Sequence, residues 1–124
     1  MAATPIRIVV VDDSPVYRRT VCDILEKLPN MQVVAEAGDG LYAIQAVKKH
    51  RPDVVLMDVT MPILDGIETT RRIKSQLPNV RVIMLSMHAS ESLSETACRA
   101  GACQCLTKGC SPKEITEAIM RAGI

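Results

Sequence analysis

The stretch DVVLMDVTMPILDG, residues 53–66, carries the clearest indication of the fold. Its first part is apolar from Val54 to Met57, without the alternation of a strand that has one face in water. Such a run is typical of a strand in a parallel sheet that is covered by helices on both faces. Asp58 follows directly, and an acid at this point is costly to bury unless it is paired or bound to a cation. The stretch therefore predicts a buried strand that ends at a carboxylate in need of a partner.

Four similar runs lie on either side of this strand, and amphipathic stretches separate them along the chain. Parallel strands need right-handed crossover connections, so five such units predict a doubly wound α/β domain with one five-stranded sheet. No linker, repeat or low-complexity segment interrupts the pattern, which favours a single domain over residues 1–124. The predicted strands are Ile6–Val11, Met31–Ala37, Asp53–Met57, Val80–Leu85 and Ala102–Leu106.

Each intervening stretch places apolar residues at helical spacing and ends at a helix-breaking residue. The fifth opens with Ser111, Pro112 and Glu114, which supply an N-cap hydroxyl, a proline at the first helical position and the glutamate of a capping box. The predicted inner faces are Val21, Ile24, Leu25 and Leu28 in the first helix, Leu41, Ile44 and Val47 in the second, Ile67, Thr70, Ile73 and Leu77 in the third, Leu93, Ala97 and Ala100 in the fourth, and Ile115, Ala118, Ile119 and Ala122 in the fifth.

Composition and charge exclude several classes of function. The 124 residues are 48% hydrophobic and 23% charged, which is ordinary for a globular domain. Fifteen basic residues balance fourteen acidic ones, and the formal charge of +1 is too small for a domain that binds nucleic acid directly. No stretch approaches the roughly 20 apolar residues of a membrane span, and the first residues lack the pattern of a signal peptide. We therefore expect a cytoplasmic domain without a membrane contact.

Five cysteines are an odd number in a chain without a secretory signal, which argues against a disulfide framework. Cys103, Cys105 and Cys110 lie close together in sequence and suggest a metal site as one interpretation. Their spacing lacks the paired C-x₂-C units of structural zinc sites, and neither His50 nor His88 is nearby. Small, reduced, buried side chains are the simpler interpretation.

Polar residues stand at the ends of four predicted strands: Asp12 and Asp13, then Asp58, Ser86 and Lys108. Ligands of doubly wound sheets bind beyond the carboxyl ends of the strands, so we expect these side chains to converge. Each alone has a simpler explanation, because the acidic pair could cap the first helix, the serine could be a cap or a satisfied hydroxyl, and the lysine could be solvated. Their joint arrangement favours a functional site.

Three carboxylates converging at one edge of a sheet repel one another, and a hard divalent cation with oxygen ligands relieves that repulsion. Mg²⁺ is the natural occupant, since it accepts carboxylates, a backbone carbonyl and water. A lysine in such a site is poised to bind an anion, most plainly a phosphoryl group. An aspartate can attack phosphorus and form an aspartyl phosphate.

These features together resemble the receiver domains of bacterial two-component response regulators, over essentially the whole chain. The resemblance rests on VVDDS at 10–14, LMDVTMPILDG at 56–66, LS at 85–86 and LTK at 106–108. It implies a flavodoxin-like fold with strand order 2-1-3-4-5.

The resemblance also implies a role for each residue of the site. Asp58 would be the phosphoacceptor, and the donor would be a phosphohistidine on a sensor histidine kinase or a small acyl phosphate. Because the transition state is loose, positioning and charge neutralisation would supply most of the catalysis. The Mg²⁺ ligands would be Asp13, Asp58 and the carbonyl of Thr60, with Asp12 in support, and the phosphoryl oxygens would be held by Ser86 and Lys108.

Two positions depart from the family pattern. Cys105 stands three residues before the lysine, where chemotaxis-type receivers usually carry a Tyr or Phe that responds to phosphorylation. Gly109 follows the lysine where proline is common, so a cis-proline peptide bond cannot form there.

Within the family, the segments at 86–89, 99–102 and 108–109 are similar to the receivers of LuxR-type transcription factors, which continue into a helix-turn-helix domain. That similarity implies transcription regulation as the output, with DNA contacted only through such a domain. Residues 1–124 leave no room for it, and we expect an excised receiver rather than a domain that acts alone. A homodimer formed on phosphorylation, through the fourth and fifth helices or the first and fifth, is a further hypothesis.

Two other classes of function compete with a signalling switch. A Mg²⁺-dependent phosphohydrolase would also use Asp58 as its nucleophile, but Thr60 occupies the position where such enzymes commonly carry a second acid. A pseudo-receiver that serves only as an interaction scaffold is disfavoured, because every polar position of the site is filled. The unusual Cys105 keeps the scaffold hypothesis open.

Overall fold

The chain forms one parallel sheet with helices on both faces. The computed structural model describes residues 4–88 and 90–123. Residues 1–3, Ala89 and Ile124, which the sequence analysis mentions, lie outside the described part. The strands are β1 (Ile6–Val11), β2 (Met31–Ala37), β3 (Val54–Asp58), β4 (Arg81–Ser86) and β5 (Gln104–Thr107). The helices are α1 (Pro15–Glu26), α2 (Gly40–His50), α3 (Gly66–Gln76), α4 (Glu91–Ala100) and α5 (Pro112–Ala122). The strand order β2-β1-β3-β4-β5 confirms the predicted doubly wound α/β fold.

Two apolar layers enclose the sheet. One packs α1 and α5 on one face, with Leu25 and Ile119 fully buried. The other packs α2, α3 and α4 on the opposite face, around Val47 and Ile73. Burying each side chain of this size stabilises the fold by about 1.5–3 kcal/mol. Since the chain has no Trp or Phe, aliphatic side chains and Met fill both layers.

Each helix begins at a side chain that satisfies a free backbone amide. These N-caps are serines or aspartates whose oxygen accepts a hydrogen bond from the amide three residues on. Ser111 and Glu114 form the capping box predicted for α5. At the other end of α4, Gly101 closes the helix with φ of 114°, a left-handed conformation that glycine adopts without strain. The remaining N-caps are Ser14, Asp39, Asp65 and Ser90.

Three predicted strands, the third, fourth and fifth, have both boundaries wrong by one or two residues, since each begins and ends later than predicted. The third and fourth strands extend one residue further than predicted, because Asp58 pairs with Leu85 and Ser86 pairs with Thr107 on the neighbouring strands. The fifth begins later, since Ala102 still donates a hydrogen bond to the end of α4. β5 is an edge strand and is only half-buried, whereas the apolar runs were predicted to be strands covered by helices on both faces.

The inner face predicted for the second helix was also wrong in part. Leu41 is 46% exposed, whereas Ala43 and Val47 are fully buried. The helix turns this face inward because Gly40, which has no Cβ, lies tightly against Leu64. The predicted face of α5 packs into the core as expected. In α1, Val21, Leu25 and Leu28 do so, whereas Ile24 is only partly buried and Cys22 takes a place in the core. Within residues 4–88 and 90–123, no helix is long and apolar enough to cross a membrane.

Candidate functional site

Two buried aspartates stand side by side at the carboxyl edge of the sheet. Asp12 follows β1 and Asp58 ends β3, and the pairing of Val11 with Met57 brings them to adjacent positions. Their exposed fractions are only 2% and 3%. Asp13 is exposed, but one of its oxygens lies within 4.8 Å of a carboxylate oxygen of each of the other two. The predicted convergence of the three acids is therefore confirmed.

Lys108 completes the cluster from β5. Its Nζ lies 2.7 Å from Oδ2 of Asp12 and 3.2 Å from Oδ1 of Asp58. The lysine is placed here because β4 and β5 pair up to Ser86 and Thr107, after which its amide donates to the Ser86 carbonyl at 2.8 Å. Its side chain is 12% exposed, which excludes the interpretation of Lys108 as an ordinary solvated lysine.

The acids and the lysine perturb one another's proton affinity. Burial, with a further contribution from the charge of Asp12, raises the pKa of Asp58 from its usual 3.8 to about 6, although Lys108 opposes the shift. Burial lowers the pKa of Lys108, but the two carboxylates outweigh this effect and raise that pKa above its usual value. One ammonium thus faces three carboxylates, and the site keeps an excess of negative charge.

The donor set suits a hard divalent cation. Asp12, Asp13 and Asp58 offer only oxygen ligands, which Mg²⁺ prefers. Oδ2 of Asp58 is buried and has no hydrogen-bond partner, which is unusual for a carboxylate oxygen in the interior. Oδ1 of the same residue accepts a hydrogen bond from the amide of Thr60 at 3.3 Å. A cation would satisfy the free oxygen and reduce the repulsion within the cluster.

Ser86 is 8% exposed, and its hydroxyl is directed to its own loop. The hydroxyl donates to the His88 carbonyl at 2.9 Å and is within 3.2 Å of the His88 amide. This matches the simpler interpretation of a satisfied hydroxyl. The serine stands next to the cluster through its backbone, since its carbonyl accepts the hydrogen bond from the Lys108 amide.

The acidic pair does not cap the first helix, because Ser14 takes that role. Asp12 instead holds the turn between β1 and α1, with Oδ1 accepting from the Ser14 amide at 2.9 Å. Arg18, which the sequence analysis missed, donates to the Asp12 carbonyl at 2.6 Å and to Glu36 at 3.1 Å. No sequence signal marks this contact, since it depends on where β2 places Glu36.

Two further residues near the site also escaped the sequence analysis. The ring centroid of Tyr17 lies 4.8 Å from Nζ of Lys108. Burial raises the pKa of Tyr17, so its ring stays neutral at physiological pH. Gly66 donates its amide to Val59, and a Cβ on it would overlap the carbonyl of Asp58. The Asp-Gly pair at 65–66 is the signal that could have identified this close approach.

Among the residues that the structure describes, Asp12, Asp13 and Asp58 are the one group of side chains placed to hold a metal ion. Cys103, Cys105 and Cys110 form no such group there. Cys103 is exposed, so the interpretation of small buried side chains is wrong for it. Cys105 and Cys110 are partly buried and pack against opposite layers of the core.

Comparisons with known proteins indicate one protein family. The family model of the response regulator receiver domain matches residues 8–120. The transcriptional regulatory protein DegU of Brevibacillus brevis is 39% identical over 114 residues, which are 92% of this chain and 48% of DegU. The chain spans about half the length of such curated relatives.

Solved structures give the same result. The receiver domain of NarL from Mycobacterium tuberculosis is 34% identical, with a TM-score of 0.92 over 98% of both chains. A chain of the CheX–CheY complex with beryllofluoride and Mg²⁺ from Borrelia burgdorferi is 28% identical, with a TM-score of 0.91 over 98% of this chain and 91% of that one.

Proposed function

The chain belongs to the response regulator receiver family, and from this we propose that it accepts a phosphoryl group on Asp58 in a Mg²⁺-dependent reaction and switches a downstream output. The observation that carries the proposal is the buried Asp58 carboxylate, which has Lys108 on one oxygen and no hydrogen-bond partner on the other. With its pKa near 6, the side chain is ionised at neutral pH and can act as a nucleophile.

The proposed reaction is an in-line displacement at phosphorus. An Asp58 oxygen attacks the phosphoryl group of a phosphohistidine, or of a small acyl phosphate. The new P–O bond forms as the bond to the leaving group breaks, and the imidazole nitrogen or carboxylate oxygen keeps the electron pair. Lys108, which contacts both Asp12 and Asp58, would turn to the phosphoryl oxygens. Such a loose transition state needs mainly positioning and charge neutralisation.

Mg²⁺ would be held by Asp13, Asp58 and the carbonyl of Thr60, with Asp12 in support through water or hydrogen bonds. When bound it would neutralise charge that develops on the phosphoryl oxygens. The excess negative charge of the cluster and the free oxygen of Asp58 support this assignment. A solved CheX–CheY complex that includes beryllofluoride and Mg²⁺ contains a chain of the same fold.

Ser86 is the proposed third contact to the phosphoryl group. To reach it, the hydroxyl must give up its hydrogen bond to the His88 carbonyl. That exchange would rearrange the loop between β4 and α4 and alter the surface of α4. The change in hydrogen bonding would thus shift the equilibrium between two conformations of a surface that a partner binds.

We propose a sensor histidine kinase as the phosphoryl donor and transcription regulation as the output, through a helix-turn-helix domain outside residues 1–124. The transcription regulators among the relatives are about twice as long as this chain, which fits such an arrangement. Homodimerisation on phosphorylation stays a prediction. Size-exclusion chromatography with light scattering would contradict it if the mass stayed monomeric with and without beryllofluoride.

Neither competing function gains support from the site. A phosphohydrolase with its own external substrates needs a second acid near the nucleophile, and Thr60 takes that position. A protein that serves only as an interaction scaffold does not need the buried ion pair between Lys108 and Asp58. Burying such a pair costs desolvation free energy, which favours a functional role for it. We therefore expect a domain that catalyses only its own phosphorylation and dephosphorylation.

The test is intact-protein mass spectrometry after incubation with acetyl phosphate, with and without Mg²⁺. Wild type should gain one phosphoryl group, only when Mg²⁺ is present, and Asp58→Asn should gain none. Asp65→Asn is the matched control, because asparagine caps α3 as well as aspartate and the residue is exposed. Phosphorylation of Asp58→Asn at the wild-type rate would refute the assignment. If wild type takes up neither a phosphoryl group nor beryllofluoride, the scaffold hypothesis replaces it.

A further inference from the structure

Lys108 is held between two carboxylates and an aromatic ring. Its Nζ lies 2.7 Å and 3.2 Å from oxygens of Asp12 and Asp58, and 4.8 Å from the ring centroid of Tyr17. A cation at this distance from a ring is attracted to the negative potential of the ring face. The attraction grows when both groups are shielded from water, and the lysine side chain is 12% exposed.

The ring is fixed in place by the start of α1. The amide of Tyr17 donates to the N-cap hydroxyl of Ser14 at 3.2 Å, which sets the first turn of the helix. The side chain also packs against the apolar layer of α1 and α5. Tyr17 therefore adds a third contact, besides the two carboxylates, to a lysine whose four-carbon side chain is intrinsically flexible.

An open cleft of about 430 Å³ lies beside this contact, lined by Ser14, Tyr17, Met87, Lys108 and Gly109. Gly109 leaves the cleft without a side chain next to the lysine, and Met87 is 71% exposed. Tyr17 is the one aromatic residue among those that line this cleft together with Lys108.

We propose that Tyr17 is a positioning residue for Lys108: the attraction between its ring and the ammonium helps to keep the ammonium at the two carboxylates. The inference rests on the proposed phosphorylation of Asp58, where Lys108 must stay in the site while its partners change from carboxylate to phosphoryl oxygens. Without the ring, the Lys108 side chain turns toward water more often and contacts the transferred phosphoryl group less often. Phosphorylation then slows, although no group that reacts has been removed.

The test compares Tyr17→Leu, which removes the ring but keeps an apolar side chain, with Tyr17→Phe, which keeps the ring. With acetyl phosphate and Mg²⁺, we expect Tyr17→Leu to slow phosphorylation about three- to tenfold, and Tyr17→Phe to stay within about twofold of wild type. Tyr42→Leu is the matched control, since this other tyrosine is 64% exposed on α2 and should not affect the rate. Urea midpoints of all variants separate a loss of stability from a loss of rate.

A second readout is independent of activity. In wild type and Tyr17→Phe, the ring should shift the NMR signals of the Lys108 ε-methylene protons upfield, and Tyr17→Leu should remove that shift. Should Tyr17→Leu fail to fold, Tyr17→Met fills a similar space without a ring. Equal rates in wild type and Tyr17→Leu, or an unshifted lysine in wild type, would overturn the positioning role alone. Failure of wild type to become phosphorylated would overturn the proposed function itself.

Discussion

Replacing Asp58 by Asn should stabilise the folded protein at neutral pH, even though it removes the proposed phosphoacceptor. Burial and the neighbouring Asp12 raise the pKa of Asp58 from 3.8 to about 6, so the folded state disfavours the charged carboxylate. Asparagine has the same shape without the charge. Lys108 keeps its closer partner in the variant, since its Nζ lies 2.7 Å from Asp12.

The size of the effect follows from the pKa shift. Each pKa unit corresponds to about 1.4 kcal/mol, so a rise from 3.8 to about 6 sets an upper limit of about 3 kcal/mol. Water at the mouth of the site screens part of this, and we expect a gain of about 1–3 kcal/mol for Asp58→Asn. Because the folded-state pKa is raised, the folded protein binds the proton more tightly than the unfolded chain does. The cost of the charge is therefore complete above pH 6 and disappears below about pH 4.

The assay is urea unfolding followed by circular dichroism, with EDTA present to exclude divalent cations. At pH 7.5, Asp58→Asn should unfold at a urea concentration higher by roughly 0.5–1 M, and the difference from wild type should shrink as the pH falls toward 4. Asp39→Asn is the control, because asparagine caps α2 equally well. A variant no more stable than wild type at pH 7.5, or a difference that persists at pH 4, would refute the electrostatic account of the site.

Three other substitutions test separate parts of the account. Asp13→Asn should not lower the stability in EDTA, since Asp13 is exposed and its charge repels the neighbouring carboxylates. It should lose the roughly 1–2 kcal/mol that Mg²⁺ at 10–30 times its Kd adds to wild type, and equal thermal shifts with Mg²⁺ would contradict the role of Asp13 as a ligand. Gly66→Ala should destabilise by at least about 2 kcal/mol, because the added Cβ overlaps the carbonyl of Asp58, and an unchanged melting temperature would show that the loop can yield. Ser111→Ala removes the capping box of α5 and should cost about 1 kcal/mol in urea unfolding; no loss would mean that the tertiary packing of α5 makes the cap redundant.

The sequence was sufficient for the fold because most of the strands are largely apolar runs and each helix has its own start signal. Strands of this kind are recognised locally, and right-handed crossovers restrict how they can be arranged. The boundary errors at Asp58 and Ser86 arose because a polar residue can still pair in the sheet. The error at Leu41 arose because the contact between α2 and the region of Leu64 depends on the absence of a side chain at Gly40, which a count of apolar residues ignores.

The convergence of the site was predictable in the same way, since the carboxyl ends of adjacent parallel strands share one edge. The contacts made by Tyr17 and Arg18 were not, because both side chains cross from α1 to residues of other elements. Their direction is set by packing between helix and sheet and not by any spacing in the sequence. The roles of Asp58, Lys108 and Ser86 toward a phosphoryl group remain predictions until the chemistry is measured.

The most direct measurement of the central claim is to locate the modified residue after reaction with acetyl phosphate and Mg²⁺. Borohydride reduces an aspartyl phosphate to homoserine, and peptide mass spectrometry then identifies the position. We predict homoserine at Asp58 alone, and none when Mg²⁺ is replaced by EDTA. Homoserine at Asp12 or Asp13, or an adduct that forms equally well without Mg²⁺, would contradict the account.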